Sequence, residues 1–422
     1  MNRRRFLKAS LAATGAAAGM AHAVTSAAEK PTERPTPQKD PPVIEKVDVL
    51  VCGGGTAGTI AALQAARAGA STMLVELGSQ LGGTITTGGV AWPGLFHAWG
   101  KQIIAGIGWE LVTKTVELDG GVLPDCSKPF QPGRHPSQQV MVNLYLYAAL
   151  AEELCLQAGI ELRYYEFPLA AEAVDGGWRV EIVGPGAHRM VTCRQLVDCT
   201  GGADVTGLLG FARLRDREIQ PGSLMYAVGN AYEPGKQQLS KMHVPAADST
   251  TSETRTRANI AGRAAVLKHL RTAAPKGGRL VHLRAETAVR ETYRIVGETI
   301  IMDQDYTAGR RFEDAVCHAF YPVDLHETNG SVKPKYLADG VVPTVPLRAL
   351  IPKGSRNLLV AGRSVSSERL ANSGLRVQAA CMAMGQAAGA AAALAAQRGI
   401  APLDVPLADL RVLLAKHGAI LP

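Results

Sequence analysis

Apolar and polar positions along this 422-residue chain follow two periods, and their order predicts an α/β protein. Val47, Val49, Leu50 and Val51 form a short apolar run of the kind buried in a parallel sheet. A glycine-rich turn follows, then a helical pattern from Thr56 to Ala68 and a second apolar strand from Thr72 to Glu76. Helical periodicity appears from Lys101 to Glu117 and again from Gln139 to Gln157. Ile160 to Tyr165 reads as a strand. Leu169 to Val174, the turn Asp175-Gly176-Gly177 and Trp178 to Val183 read as a hairpin, and Met190 to Cys193 returns after Pro185-Gly186. Leu196 to Cys199 is then a strand entering a second glycine turn, Thr200-Gly201-Gly202.

From about Thr206 to Leu347 the elements shorten and His, Tyr, Arg and acidic residues are interspersed, which predicts an inserted α+β lobe. The buried-strand pattern returns at Asn357 to Val360 and ends on Ala361-Gly362-Arg363. Gly374 to Gln397 reads as one long alanine-rich helix, in which close packing against a neighbour accounts for Gly389. A last helix, Leu407 to Lys416, takes Asp404 as its cap.

The first glycine turn carries the chemistry. Gly53, Gly55 and Gly58 have the G-x-G-x-x-G spacing between a strand and a helix. The first glycine permits the tight turn, the second lets backbone approach a pyrophosphate, and the third lets helix and strand pack closely. The helix N-terminus, with Thr56 and Ala57, points N–H groups at that phosphate. Glu76 ends the second strand about 20 residues on, where a carboxylate holds a ribose diol.

Residues 1–23 read as an export address. Asn2-Arg3-Arg4-Arg5-Phe6-Leu7-Lys8 matches the twin-arginine pattern, a weakly apolar stretch follows, and Ala21-His22-Ala23 supplies a small-x-small cleavage site. The expected location is therefore the periplasm, with the twin-arginine translocase as a partner during export. Removing the four positive residues of this segment lowers the formal charge from +8 to +4, and no basic run suggests nucleic acid. Residues 24–45 hold five prolines among polar residues and read as a disordered tether. No stable membrane span is expected in the mature chain. Seven cysteines form no C-x-x-C pair, so zinc-ribbon, iron–sulfur and c-type haem motifs are absent, and no metal site is expected.

The order of these segments resembles the glutathione-reductase-type, Rossmann-like FAD-binding fold with a β-meander. More narrowly, the chain resembles the FAD-dependent oxidoreductase family. That resemblance rests on Val360-Ala361-Gly362-Arg363, Leu375-Arg376-Val377 and Cys381-Met382-Ala383-Met384-Gly385-Gln386-Ala387-Ala388-Gly389. Gly82-Gly83-Thr84, Arg290-Glu291, Gly309 to Asp314 and Tyr321 to His326 are also similar to family segments. Thr200-Gly201-Gly202-Ala203-Asp204 departs from it, because the family more often has T-G-D-x-D there. The resemblance implies non-covalently bound FAD. It would be contacted by Gly53, Gly55, Thr56, Ala57, Gly58 and Glu76, by Gly82, Gly83 and Thr84, and by Thr200, Gly201, Gly362, Arg363, Arg376 and Val377. The implied organisation is an FAD-binding domain in two parts, 46–205 and 348–422, flanking a substrate lobe at 206–347.

A single dinucleotide fingerprint and an exported location argue against a nicotinamide, so the expected electron acceptor is a quinone, an electron-transfer protein or oxygen. The expected reaction is hydride transfer between a small organic substrate, such as a sugar-type hydroxyl or an amine, and FAD. The alternatives are a fumarate-reductase-like ene-reductase with an arginine proton donor, and a non-catalytic flavin-bearing accessory protein. In extended backbone Asp324 and His326 share a face, as a carboxylate orienting an imidazole base. Arg290 and Arg294 are candidates for binding a substrate carboxylate or stabilising an enolate, against a solvated helix face or a pair with Glu291. His97, soon after the glycine-rich loop, is a further candidate, against a structural aromatic loop.

Overall fold

Strand β1 (Val43–Cys52) runs into the first glycine turn, and helix α1 (Thr56–Arg67) returns the chain to strand β2 (Thr72–Glu76), parallel to β1. The structure is a computed structural model that describes residues 43–128, 138–229, 238–273, 279–327, 331 and 334–422. The twin-arginine segment and most of the proline-rich tether lie outside the described residues. The tether was expected to end at 45, but Val43, Ile44 and Glu45 are already strand, paired with Arg189, Met190 and Val191.

Helices α2 (Ile107–Leu118) and α3 (Leu144–Gln157) start later than the periodicity suggested. Lys101 and Gln102 instead pair with His97 and Ala98 as a short antiparallel ladder. Asn143 caps α3 by accepting from the Tyr145 and Leu146 N–H groups. Strand β3 (Glu161–Tyr164) extends the parallel sheet beyond β2. Strands β4 (Phe167–Val174) and β5 (Gly177–Gly184) form the expected hairpin.

The segments expected as two strands, around Met190 and around Leu196, are one strand, β6 (Ala187–Asp198). Its length lets it serve two partners on one side. The first half pairs with β5 of the meander, and Leu196, Val197 and Asp198 pair with the late strand β10 (Leu358–Val360). On its other side β1 runs parallel to it throughout. The result is a mixed parallel and antiparallel sheet with helices packed on it.

Alternation across that sheet sorts side chains into two cores. Val49, Val51, Leu74, Val197 and Leu359 face the helices. Leu50, Cys52, Met73, Val75, Leu196 and Leu358 join Trp178, Val180 and Ile182 of the meander on the opposite face. Both faces of the parallel strands are covered, so their sequences read as continuous apolar runs.

Within residues 206–347, strands β7 (Gly222–Gly229), β8 (Gln238–Val244) and β9 (Arg279–Leu283) form an antiparallel sheet in the order β8-β7-β9, with helix α4 (Ser252–Ala273) against it. The long C-terminal helix is divided. Helix α5 (Arg369–Leu375) stops, Val377 is extended, and helix α6 (Gln378–Arg398) begins. A Cβ on Gly374 would lie 2.2 Å from the Tyr306 hydroxyl oxygen, so that glycine serves packing and not a helix start. Helix α6 is long and apolar enough to cross a membrane by length and composition, and 89% of its apolar window is buried inside the protein. Its main neighbour is α1. A Cβ on Gly385 or Gly389 would lie 2.2 Å from the Ala57 or Ala61 carbonyl oxygen, so both glycines permit this contact. Asp404 lies in a short 3-10 turn, and Pro406 precedes helix α7 (Leu407–Lys416) where the aspartate cap was expected.

Candidate FAD and substrate site

The first turn is built as a cradle. Gly53 has φ +100°, and a Cβ there would sit 2.5 Å from the Cys199 carbonyl oxygen, so two adjacent strand ends require a glycine. A Cβ on Gly58 would lie 1.8 Å from the Gly53 carbonyl oxygen, which sets how closely α1 meets the loop. Gly55 differs from both. A Cβ there meets no atom within 4 Å, because it points into a cavity of about 770 Å³. Thr56 and Ala57, at the N-terminus of α1, line the same space.

Glu76 forms another wall. Its Oε2 accepts from the Gly54 N–H at 2.7 Å and its Oε1 from the Gly78 N–H at 2.6 Å. These bonds fix the carboxylate while leaving acceptor capacity on each oxygen. Burial raises its pKa, and the two backbone N–H groups work against that rise. The glycine-rich loop packs onto the cradle: Gly82 N–H donates to the Gly54 carbonyl at 2.9 Å, and a Cβ on Gly83 would lie 2.9 Å from the Gly55 Cα. Gly83 and Thr84 line the cavity, while Gly82 and Gly58 stand behind it and shape the backbone.

Thr200, Gly201, Gly362 and Arg363 line the cavity from the ends of β6 and β10. Arg363 joins these ends, with Nε donating to the Gly201 carbonyl at 2.7 Å and an NH group to the Val289 carbonyl at 3.2 Å. Asp198 went unnoticed in the sequence. It is buried, and it accepts from the backbone N–H and hydroxyl of both Thr200 and Thr206. Asp204 also lines the cavity, its carboxyl raised to about 6 by burial and by Asp198. A Cβ on Gly202 would lie 2.6 Å from an Asp204 oxygen, so an aspartate there would require the Asp204 side chain to move.

The same cavity reaches His326, Asp324, Arg290, Arg376 and Val377. His326 Nε2 lies 3.3 Å from Asp324 Oδ2, and its other ring nitrogen, Nδ1, is buried without a protein partner. Its backbone N–H donates to Gln220 Oε1 at 3.0 Å. Gln220 is held in turn by the buried Glu291, which pairs with Arg369 at 2.9 Å. Burial pushes the Asp324 carboxyl up, but His326, Arg376 and Arg290 outweigh it and hold the pKa at about 2. Arg376 donates to the Asp324 carbonyl at 3.0 Å and lies 3.7 Å from Asp324 Oδ2.

Arg290 donates to the Pro221 carbonyl and, at 3.1 Å, to the Ser223 hydroxyl. Its proposed pairing with Glu291 is not what the chain does, because Arg369 takes that carboxylate. Arg294 turns away from the cavity, donating to the Ser367 carbonyl and pairing with Asp216 at 2.7 Å. Residues Arg294 and Ile295 are strand, so the four-residue spacing from Arg290 marks no helix face. His97 is buried in its short ladder among apolar residues and does not line the cavity.

Lys241 was missed. It lines the cavity from β8, and the Lys241–His243 alternation is the sequence signal that would have found it.

Open space at Gly55, a tethered carboxylate at Glu76 and a helix N-terminus are the donor and acceptor set that a dinucleotide needs. A cavity of this volume falls in the upper part of the usual range for small-molecule sites, about 300–1,000 Å³. The residues therefore fit FAD.

A family of FAD-binding redox enzymes is the class that this sheet and cavity define. The sequence matches the FAD dependent oxidoreductase family over residues 48–247 and 213–414, and the chain belongs to that family. Its cofactor is FAD. Among curated proteins none matches the sequence. Solved structures with a similar fold include the anhydrotetracycline hydroxylase OxyS from Streptomyces rimosus, at 17% identity and a TM-score of 0.43, covering 88% of this chain and 66% of that one. A geranylgeranyl bacteriochlorophyll reductase-like protein from Thermoplasma acidophilum is 13% identical, with a TM-score of 0.41 and coverage of 89% and 82%. The p-nitrophenol 4-monooxygenase PnpA from Pseudomonas putida is 12% identical, with a TM-score of 0.38 and coverage of 88% and 84%.

Proposed function

We propose that this chain is an exported oxidoreductase of the glutathione-reductase-type FAD fold that oxidises a small organic substrate, with His326 as the general base. One observation carries the reading: a single cavity is lined at once by Gly55 and Glu76 and by the His326–Asp324 pair, whose imidazole is buried. When bound, FAD supplies the acceptor of the hydride. The chain supplies the rest. Gly55, Thr56 and Ala57 would present backbone N–H groups to the pyrophosphate, since the Gly53 and Gly54 N–H groups are taken by Val75 and Glu76, and Glu76 would accept from the ribose hydroxyls. Arg376 and Val377, which line the cavity next to the N-terminus of α6, would contact the far end of the cofactor. Asp324 orients the imidazole, whose ring is buried while the carboxylate stays partly exposed. With Nε2 on Asp324, Nδ1 is the ring nitrogen left for a substrate proton; it is closed to solvent in this structure, so the imidazole must turn to meet a substrate in the cavity.

The test is anaerobic. The purified protein should be yellow, and one of a panel of candidate substrates should bleach the visible flavin band. A yellow protein that no substrate bleaches argues for the accessory role instead. A second reading rests on Arg290, whose guanidinium burial and the neighbouring Arg376 lower to about 10. As a proton donor it would suit an ene-reductase, and an activated alkene reoxidising the reduced protein separates the two. The twin-arginine address supports export of the folded protein to the periplasm. The scarcity of nicotinamides there favours a quinone, an electron-transfer protein or oxygen as acceptor.

A further inference from the structure

The catalytic end of the cavity holds more positive charge than the fold neutralises. Lys241, Arg290 and Arg376 all line it, and Asp324 is the carboxylate among them. That carboxylate is already engaged by His326 and Arg376. Among the described residues neither Lys241 nor Arg290 has a carboxylate within ion-pair distance.

The geometry of the lobe brings these two cations to one wall. On β7 and β8, Met225 lies opposite Lys241, and Ser223 lies opposite His243. Side chains at alternate positions share a face, so Ser223, Met225 and Lys241 present to the cavity together. Diagonal neighbours across such a ladder are about 7–8 Å apart, within reach of long side chains. Arg290 is drawn to this wall by its bond to the Ser223 hydroxyl, with its remaining N–H groups available. The groups also disfavour one another's charge. Burial and Arg290 lower the Lys241 ammonium, and burial, Lys241 and Arg290 bring the His243 imidazole to about 4. Arg290 is half-buried without a carboxylate partner, which is costly to a fold, and an anion beside it removes that cost, while Lys241 reaches the same wall from an exposed position on β8.

We infer that the substrate is a small organic carboxylate, with its carboxylate group held between Lys241 and Arg290 and its reacting carbon turned towards His326. This inference rests on the redox reading of the cavity and narrows its substrate class. A guanidinium offers two parallel N–H groups to a carboxylate, and an ammonium adds a point charge. A cationic amine is disfavoured by the same charges, which sets aside one of the substrate types expected from the sequence. Arg294, the other arginine considered for this role, is committed to Asp216.

The experiment uses the full chain, with succinate and glycolate as probes, their neutral amides as controls, and sodium chloride at matched ionic strength. Binding is read in two ways, as the shift of the visible flavin band and as the rise in thermal midpoint. Both acids should bind while the amides do not, and Lys241→Gln and Arg290→Gln should each weaken binding about 10–100-fold with flavin occupancy unchanged. Lys241 lies on the strand facing the cavity, so Lys241→Glu keeps the fold and reverses the local charge, and it should abolish the shift. Amides or chloride acting as well as the acids, or Lys241→Glu binding like the parent, would overturn the inference. The thermal readout reports the carboxylate site even in a colourless preparation. A colourless protein that still binds the acids therefore sinks the redox reading alone.

Discussion

At the residue scale, the three fingerprint glycines do different work, and the difference is measurable. Gly53 and Gly58 are required by neighbouring backbone, whereas Gly55 has an extended conformation, φ −70° and ψ −169°, that any residue adopts. A side chain at Gly55 enters the cavity without disturbing the turn. Gly55→Val should therefore fold with a thermal midpoint close to that of the FAD-free parent, yet purify colourless. Full flavin occupancy in that variant would remove the pyrophosphate assignment. Asp324 gives a second test. Its folded pKa, about 2, lies below its ordinary value, so the fold favours the charged form. That contribution is fully present at neutral pH and is lost as the pH falls towards 2. It amounts to about 2 kcal/mol. Asp324→Asn should lower the unfolding free energy by about that much near pH 7, and the two curves should converge between about pH 5 and pH 2. A gap that stays constant across that window would show that Asp324 acts through packing and not through its charge.

At the scale of elements, the contact of α1 with α6 sets where the cradle sits, because the N-terminus of α1 lines the cavity. Gly389 lies four residues further from the cavity end of α6 than Gly385, and its Cβ position is occupied by the Ala61 carbonyl. Gly389→Val should force the two helices apart and lower stability by about 1–3 kcal/mol, the usual cost of overfilling a tight contact. Urea unfolding measures it, and an unchanged midpoint would mean the helices are looser than they stand. The elements of the nucleotide-binding region were legible because their periods are strong. The apolar runs at Leu50 and Leu359 are long enough to bury on both faces, and the glycine turns mark their ends. Boundaries were less legible. Polar residues in the second half of β6, such as Arg194 and Gln195, broke its apolar pattern, yet backbone pairing to β1 carries the strand through them. The division at Val377 was hidden because the alanine-rich sequence after it favours helix and no proline marks the break, which tertiary contacts set.

At the scale of the whole molecule, the site joins residues that are far apart in the chain, and this decided what the sequence could disclose. Gly55 and Glu76 carry a local spacing, so their role is readable from one segment. The Lys241–His243 alternation marks one face of β8, but what that face meets is decided only once β8 lies beside β7 and Arg290 bonds to Ser223. His326 stands between these cases. Its pairing with Asp324 follows from alternation, but its placement opposite the cradle depends on Gln220, 106 residues earlier, which holds its backbone N–H. The last prediction follows from that arrangement. The cofactor cradle is built from β1, α1 and β2, and none of these elements supplies a bond to the His326 ring. His326→Ala should therefore leave FAD occupancy and the visible spectrum nearly unchanged. It removes the proton acceptor, so anaerobic bleaching by a true substrate should slow by about 10²–10⁴-fold, the usual contribution of a positioned general base. The loss should appear in the rate of bleaching and not in the substrate concentration that half-saturates it, because the carboxylate contacts are untouched. Bleaching at the parent's rate would move the base elsewhere in the cavity. A loss of flavin would instead mean that His326 supports the cofactor and not the proton transfer.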